Sequence, residues 1–419
     1  MPRRLGRSPR LRVGGLLVLL GPLLLAGCAG DYVARTHGIR EAYQAEDYPR
    51  ALDMLADEGE HGHPNDQLLV LLDRGMVLHA AGRWEESIQV LAQADRLSQE
   101  LDGISLREEA GALLSNERQR AYRGEDFEKL MISVLQALNY AQLGRDEDAL
   151  VEIRRVNERL RKMVVEEKKP YEQLAIARYL GGVLYEDQHE WDSAYIDYAQ
   201  ALELEPRLGP LAEPLLRLAK KTGRDDAYEA LLQKFPGLPH EPLGREEGQV
   251  VVVVEAGLSP EKQSANRPYQ PHAAELITIP VYRDRSTTPR AQVSVGEAWQ
   301  GAVTVTSLGE VAKLHLEDRV GRMLAKQLAG AVVKGGVAAG AGAVTKSEEV
   351  AYLTFLLLNL ANEPDLRSWL SLPAEFQLAR LRLPAGKHLV QVELGGRVTS
   401  REVEVRPGRV SLVVMRRYY

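Results

Sequence analysis

Between Gly181 and Pro206 the chain reads GGVLYEDQHEWDSAYIDYAQALELEP, and this stretch constrains the fold more than any other. Gly182, Ala194 and Ala201 are small residues at helical spacing, with Tyr185, Trp191 and Tyr198 set among them. Two antiparallel helices cross closely where small side chains meet, and aromatics fill the space beside the crossing. Pro206 cannot continue a helix and ends the second one. The same order returns in RGMVLHAAGRWEESIQVLAQADRL, through Gly75, Gly82, Trp84, Ser87, Leu91 and Ala94. It returns again in ALNYAQLGRDEDALVEIRRVNERL, through Ala137, Tyr140, Gly144 and Ala149. YQAEDYPRALDML is a poorer first copy around Tyr48 and Ala51, and LLRLAKKTGRDDAYEALLQKFP a degenerate last one. With Ala51, Ser87, Ala149, Ala194 and Ala227 taken as equivalent, the intervals are 36, 62, 45 and 33 residues.

These segments resemble tetratricopeptide repeats, whose period is about 34 residues. The resemblance implies an α-solenoid of helical pairs. The two long intervals mark inserts near Glu100 to Leu130 and Arg161 to Gln173. In the first, Ala110, Leu113 and Leu114 suggest a short helix, and Gly124 a turn that leads into the next one. In this family the first helix of each pair lines the concave groove. The implied candidate partner groove is Leu72, Met76 and His79, then Val134, Leu138 and Gln142, then Tyr179, Val183, Glu186 and Asp187. It is apolar at one end and acidic at the other. An exposed apolar groove ordinarily holds a bound segment. The expectation is that the chain's own first insert covers it and that other surface remains for a partner.

Composition changes after Pro236. PGLPHEPLGREEG is a proline- and glycine-marked linker. QVVVVVEAGL then reads as a strand whose β-branched run suggests burial on both faces. LITIPVYR, AQVSVG and AVTVTSL follow, and the C-terminus adds FQLARLRLP, HLVQVELGG, TSREVEVRPG and VSLVVMRRYY. Short strands parted by Pro-Ala-Gly, Gly-Gly and Pro-Gly turns predict an antiparallel sandwich. The ending LPAGKHLVQVELGGRVTSREVEVRPGRVSLVV resembles small immunoglobulin-like modules of bacterial surface proteins. Gly309 to Pro364 reads as a helical hairpin packed on that sandwich. It contains Gly336-x-x-x-Gly340, but Lys326, Lys334 and Lys346 leave no apolar span of about 20 residues. The expected fold is therefore multidomain, α then α+β. A tetratricopeptide-like α-solenoid (28–240) precedes an antiparallel β-sandwich-like domain (241–419) with a helical insert at about 309–363.

Cys28 is the only cysteine. Arg3, Arg4, Arg7, Arg10 and Arg12 precede an apolar run, Val13 to Leu25, that is too short for a comfortable membrane span. A basic segment followed by a short apolar one reads as a secretory signal over 1–27. Leu25-Ala26-Gly27-Cys28 resembles a bacterial lipobox. That resemblance implies cleavage before Cys28, acylation of its thiol, and anchoring in a lipid bilayer by several acyl chains. Ala29 follows Cys28 and the first acid is Asp31; by resemblance to enteric sorting this implies the outer membrane, facing the periplasm. The formal charge of −6 includes the five signal arginines, so the mature chain carries about −11. Nucleic acid, which needs a basic surface, is not an expected partner.

Chemistry is hard to find. Ser259-Pro-Glu-Lys262, Ser264-Ala-Asn266 and Lys221-Thr-Gly223 resemble the three motifs of penicillin-binding enzymes, in the wrong order and spacing. GAGAVTKS (340–347) fails as a phosphate loop because Thr345 stands where glycine is needed. His61-Gly-His63 reads as a solvated turn, so no metal or other cofactor is expected, and no enzymatic activity. The stretches DRGMVLHAAGRWEESI, YRGEDFEKLMISVLQALNYAQLGRDEDALVEIRRVN and RSWLSLPAEFQLARLRLPAGKH together resemble a bacterial family of tetratricopeptide-repeat envelope lipoproteins with a β-rich second domain. The resemblance implies architecture and compartment, and carries no residue roles. The expectation is an anchored adaptor or assembly scaffold whose repeats bind envelope proteins. The alternative is a cell-wall glycan binder that takes peptidoglycan on the β domain.

Overall fold

Among the described residues, each of five consecutive helical pairs closes on one residue in the left-handed region. The residues are Glu46 (φ 61°), Gly82 (72°), Gly144 (69°), His189 (66°) and Gly223 (70°). At each, two backbone bonds run back into the finished helix: Gly82 N to His79 O and Arg83 N to Leu78 O at one turn, His189 N to Glu186 O and Glu190 N to Tyr185 O at another. This pair of hydrogen bonds satisfies carbonyls that a helix end would orphan, and it sets the angle at which the next helix leaves. Glycine adopts the conformation freely; His189 and Glu46 do so at a cost. The five turns are spaced 36, 62, 45 and 34 residues apart. The last copy therefore registers on Tyr228, one residue beyond Ala227, and its interval equals the family period.

The computed structural model describes residues 32–108, 120–166, 174–239, 241–268, 276–321 and 364–418. After a short α1 (Tyr32–Arg35), the five pairs are α2 (His37–Gln44) with α3 (Tyr48–His61), α4 (Gln67–Ala80) with α5 (Trp84–Glu108), α6 (Asp126–Gln142) with α7 (Asp146–Arg161), α8 (Ala175–Asp187) with α9 (Trp191–Leu204), and α10 (Glu213–Lys221) with α11 (Asp225–Lys234). The small residues stand where helices touch. A Cβ on Gly75 would meet the Leu91 side chain at 2.5 Å, and one on Gly182 the Tyr198 ring at 2.6 Å. Ala94, Ala149, Ala194 and Ala201 are fully buried. The Arg145 guanidinium lies over the Tyr140 ring, and Trp191 stacks on His189. Tyr185 packs half-buried against the core. Pro206 opens a 3-10 turn directly after α9. Gly124, at φ 81°, turns the described end of the first insert into α6.

The β-rich half holds two four-stranded sheets and a hairpin among the described residues. Its strands are β1 (Glu247–Ala256), β2 (Glu261–Pro268), β3 (Leu276–Arg283), β4 (Gln292–Val295), β5 (Ala298–Gly301), β6 (Val303–Ser307), β7 (Glu375–Pro384), β8 (Gly386–Leu394), β9 (Arg397–Val405) and β10 (Val410–Arg417). The first sheet runs β10-β1-β7-β6, the second β5-β4-β8-β9, and β2 pairs with β3. Residues 308–321 form α12, the described start of the expected helical insert. The remainder of that insert, the motif at 340–347, Gly336 and Gly340, and Cys28 with Leu25, Ala26 and Gly27 lie outside the described residues.

One expectation fails: the β layer is not wholly antiparallel. β8 and β9 do form a hairpin over Gly395 and Gly396. The chain then crosses from the second sheet to the first at Pro407-Gly408, and β10 lies parallel to β1. A strand that changes sheets cannot pair with its predecessor. The β-branched run of β1 is buried on both faces, and Val250 to Val254 are all 0% exposed. Val250, Val252 and Val254 share an apolar layer with Val293, Val390 and Val392 of the second sheet. Val251 and Val253 join Phe376, Leu378, Val410 and Val414 in a core continuous with the helices.

Candidate functional site

Leu72, Met76 and His79 lie three and four residues apart on α4, so they share one face. Val134, Leu138 and Gln142 repeat the spacing on α6, and Tyr179, Val183, Glu186 and Asp187 on α8. All ten look inward, and all but the half-exposed Gln142 are buried. They are not open to a foreign segment, and the middle of the first insert lies outside the described residues. The occupant of the groove is the first sheet. The expected partner groove is the receptor for the chain's own β1, β7 and β10.

The polar contacts divide between the two ends of β1. At its C-terminal end, His79 Nε2 meets Glu255 Oε1 at 2.9 Å and His79 Nδ1 meets Asn139 Oδ1 at 2.6 Å. Asn139 in turn donates to Ser87 Oγ, which donates to the Gly75 carbonyl. That sequence of donors leaves Asn139 Oδ1 as an acceptor, so His79 donates to it from Nδ1. Arg416 donates from Nε to Tyr43 Oη at 3.2 Å and from Nη1 to the Glu255 carbonyl at 2.7 Å.

At the N-terminal end of β1 the acidic lining meets arginines. Glu186 pairs with Arg380 of β7 at 2.6 Å and with Arg217 of α10, and it accepts from Tyr198 Oη at 2.7 Å. Glu213 takes Arg217, Arg382 and the Gln249 amide. Burial by itself would push the Glu186 carboxyl up; Arg380 and Arg217 outweigh it and hold it down at about 2. Asp187 binds Arg409 through both oxygens, at 2.9 and 2.6 Å, and accepts from Val410 N. Gln142 donates to the Leu412 carbonyl at 3.0 Å and Arg401 to that of Val414 at 3.1 Å. These side chains satisfy the free edge of β10 where another strand would otherwise pair.

A second buried network escaped the sequence analysis. Glu128 accepts from Trp369 N (2.7 Å), Glu125 N (2.9 Å) and Tyr122 Oη (2.6 Å). Glu125 pairs with Lys262 and with Arg319 of α12. Arg367 binds Asp66 and Asp365, and its carbonyl accepts from Lys262. Burial pushes Glu128 up to about 7, against the nearby Lys262 charge. Glu125 is pushed up by burial too, but Arg319 and Lys262 draw it well below the usual carboxylate range. Two carboxylates so divided can mark acid–base chemistry. Here both Glu128 oxygens are taken by protein donors and the side chain is 0% exposed, so the pair ties segments together. The only signal for it was the Glu-x-x-Glu spacing before α6, which is also that of a helix-capping pair.

The remaining motif residues fall into structural places. Ser259 Oγ donates to the Trp369 carbonyl, and Lys262 is the ion-paired lysine above. His61 pairs with Asp57 at 3.0 Å and His63 Nδ1 accepts from Asn65 N, both on the surface. Among the described residues no group of His, Cys, Asp and Glu is arranged to hold a metal ion, and no helix is long and apolar enough to cross a membrane.

No protein-family model and no curated protein matches this chain. A solved structure described as MamA MSR-1 C2 aligns over 48% of this chain and 91% of its own, at 18% identity and a TM-score of 0.30. A likeness of that size carries no argument about this chain.

Proposed function

We propose that this chain is a lipid-anchored envelope protein, held by Cys28 and facing the periplasm, that acts as an adaptor or assembly scaffold. On this reading the tetratricopeptide-like array does not capture a foreign segment. It clamps the chain's own sandwich-like β module in one pose. The observation that supports the reading is the burial of the groove beneath the first sheet. Among the described residues, the outer face of the second sheet is exposed. That outer face carries Trp299, Leu389 and Val398 at 69%, 52% and 60% exposure.

In-cell crosslinking with affinity capture and membrane fractionation tests it. Wild type is expected in the membrane fraction with a reproducible envelope partner. Cys28→Ser should be mislocalised and lose that partner, and Trp299→Ala should stay in the membrane and capture less of it. Wild type and Cys28→Ser behaving alike, with nothing captured, would sink the reading.

One observation favours the alternative of a glycan ligand. The strand register sets Trp299, Ser294, Gln391 and Ser400 in a single row across β5, β4, β8 and β9. An exposed indole beside hydroxyls and an amide offers an apolar plate with polar neighbours, as a sugar ring requires. Co-sedimentation of the whole chain and of Trp299→Ala with purified peptidoglycan separates the readings. The β half alone is unsuitable, because cutting it free would bare Val251, Val253, Phe376 and Leu378.

A further inference from the structure

The described part of the fold reaches almost to the proposed anchor. Tyr32 is 2% exposed, and its hydroxyl donates to Asp73 Oδ2 at 2.7 Å. Thr36 is 0% exposed. Only Ala29, Gly30 and Asp31 separate Tyr32 from Cys28. Four Cα steps span at most roughly 14 Å even when fully extended. That is little more than the diameter of one helix, about 10–12 Å.

α1 is also bolted down, so it cannot lengthen the tether without breaking buried bonds. Arg35 pairs with Glu58 of α3 at 2.8 Å and with Asp66 at 2.7 Å. Asp66 is held in turn by Arg367, and Asp73 by Ser371 Oγ at 2.6 Å. The Ser371 carbonyl accepts from Tyr43 Oη, which Arg416 also touches. The N-terminus is thereby fastened to α3, to α4 and to the end of the first sheet where β10 finishes.

From this we propose that acylated Cys28 holds the body flush against a lipid bilayer by its α1 end, with the surface of α1, α2 and the 57–64 turn at the headgroups. The inference rests on the anchoring reading above. That surface exposes His37, Glu41, Asp57, Glu60, His61 and His63; it includes no lysine, and its arginines, Arg35 and Arg40, are only partly exposed and bonded to Glu58, Asp66 and Thr36. Attraction to anionic lipid is therefore not what brings it there; a polybasic patch would be needed for that. The covalent tether enforces the contact, so the pose is indifferent to anionic lipid and to salt. Glu247 lies eight residues along β1 from Glu255, about 26 Å at the rise of a strand. The Arg406–Arg409 turn sits beside Glu247, since Gly408 N donates to the Glu247 carbonyl.

Cys28 is the only cysteine and is consumed by acylation, so one introduced thiol can be labelled alone. His61→Cys and Arg406→Cys alter exposed positions. The full-length acylated proteins, labelled with a fluorophore and reconstituted in phosphatidylethanolamine–phosphatidylglycerol vesicles, are quenched with a headgroup nitroxide lipid. Quenching is expected to be several-fold stronger at 61 than at 406, at low and high salt alike. A ten-residue glycine–serine insertion between Asp31 and Tyr32 should bring the two sites close to equality while the protein still floats with the vesicles. Equal quenching at both sites in a floating, uninserted protein overturns the inference and leaves the anchor standing. A difference that survives the insertion also overturns it, because some other attraction would then set the pose. Failure of the wild type to float, with no acyl mass on Cys28, removes the anchoring reading itself.

Discussion

The two faces of the first sheet bury the same strands with different chemistry. Toward the second sheet β1 presents Val250, Val252 and Val254, and β7 presents Ala379, Leu381 and Leu383. Toward the helices β1 presents Gln249, Val251, Val253 and Glu255, and β7 presents Arg380 and Leu378. The first face is apolar apart from Gln377, whose amide accepts from Ala291 N and donates to the Pro289 carbonyl. The second has an apolar centre with a charged group at each end, and each end meets a different repeat. Glu255 reaches His79 in the second pair, and Arg380 reaches Glu186 in the fourth. Apolar burial supplies the cohesion, and the two terminal polar contacts set which repeat meets which end of the sheet.

Breaking the charged face should cost most. Glu186→Ala leaves Arg380 and Arg217 buried without their shared carboxylate. A loss of about 3–5 kcal/mol in chemical denaturation is expected, as for other broken buried ion pairs. Leu381→Ala, on the apolar face, should cost about 2–5 kcal/mol through lost burial and a cavity, and should leave the pairing of sheet and repeats unchanged. If Glu186→Ala proves the milder change of the two, the contrast between the faces is wrong.

Acid should act on one face only. Glu186 is held below its ordinary value of 4.5, at about 2 in the fold. Its contribution is complete above the ordinary value and is lost as pH falls through the folded one. Unfolding free energy measured from pH 5 down to pH 2 should show wild type losing its advantage over Glu186→Gln. A constant difference across that window would mean that folding does not lower the Glu186 pKa, and a difference that grows as pH falls would mean that the fold holds the carboxyl neutral. Leu381→Ala should run parallel to wild type throughout. The smallest effect belongs to the turns. Gly144→Ala adds a Cβ with nothing within 4 Å, so only the backbone cost of about 1–2 kcal/mol is expected in thermal or chemical unfolding.

Much of the helical half was legible because its determinants are local. Gly82, Gly144 and Gly223 announce their turns by residue type, and Gly75 and Gly182 mark helix crossings. His189 and Glu46 occupy the same turn position without the glycine signal, and were not singled out by the sequence analysis. The groove residues followed from spacing along α4, α6 and α8. Their occupant did not: the partner of His79 lies 176 residues away at Glu255, and no local pattern links the two. The second network was hidden for the same reason, since Glu125 and Lys262 are 137 residues apart.

By itself the sequence determined the helical pairs, their turns, most of the strands and the two-sided burial of β1, because periodicity, glycine and β-branching act over a few residues. Only the tertiary structure decided that β10 runs parallel to β1, that the sheet lies in the groove, and that the groove's acids are consumed by the chain's own arginines. Those choices depend on which distant surfaces bury each other with their polar groups paired, and that is a property of the assembled fold.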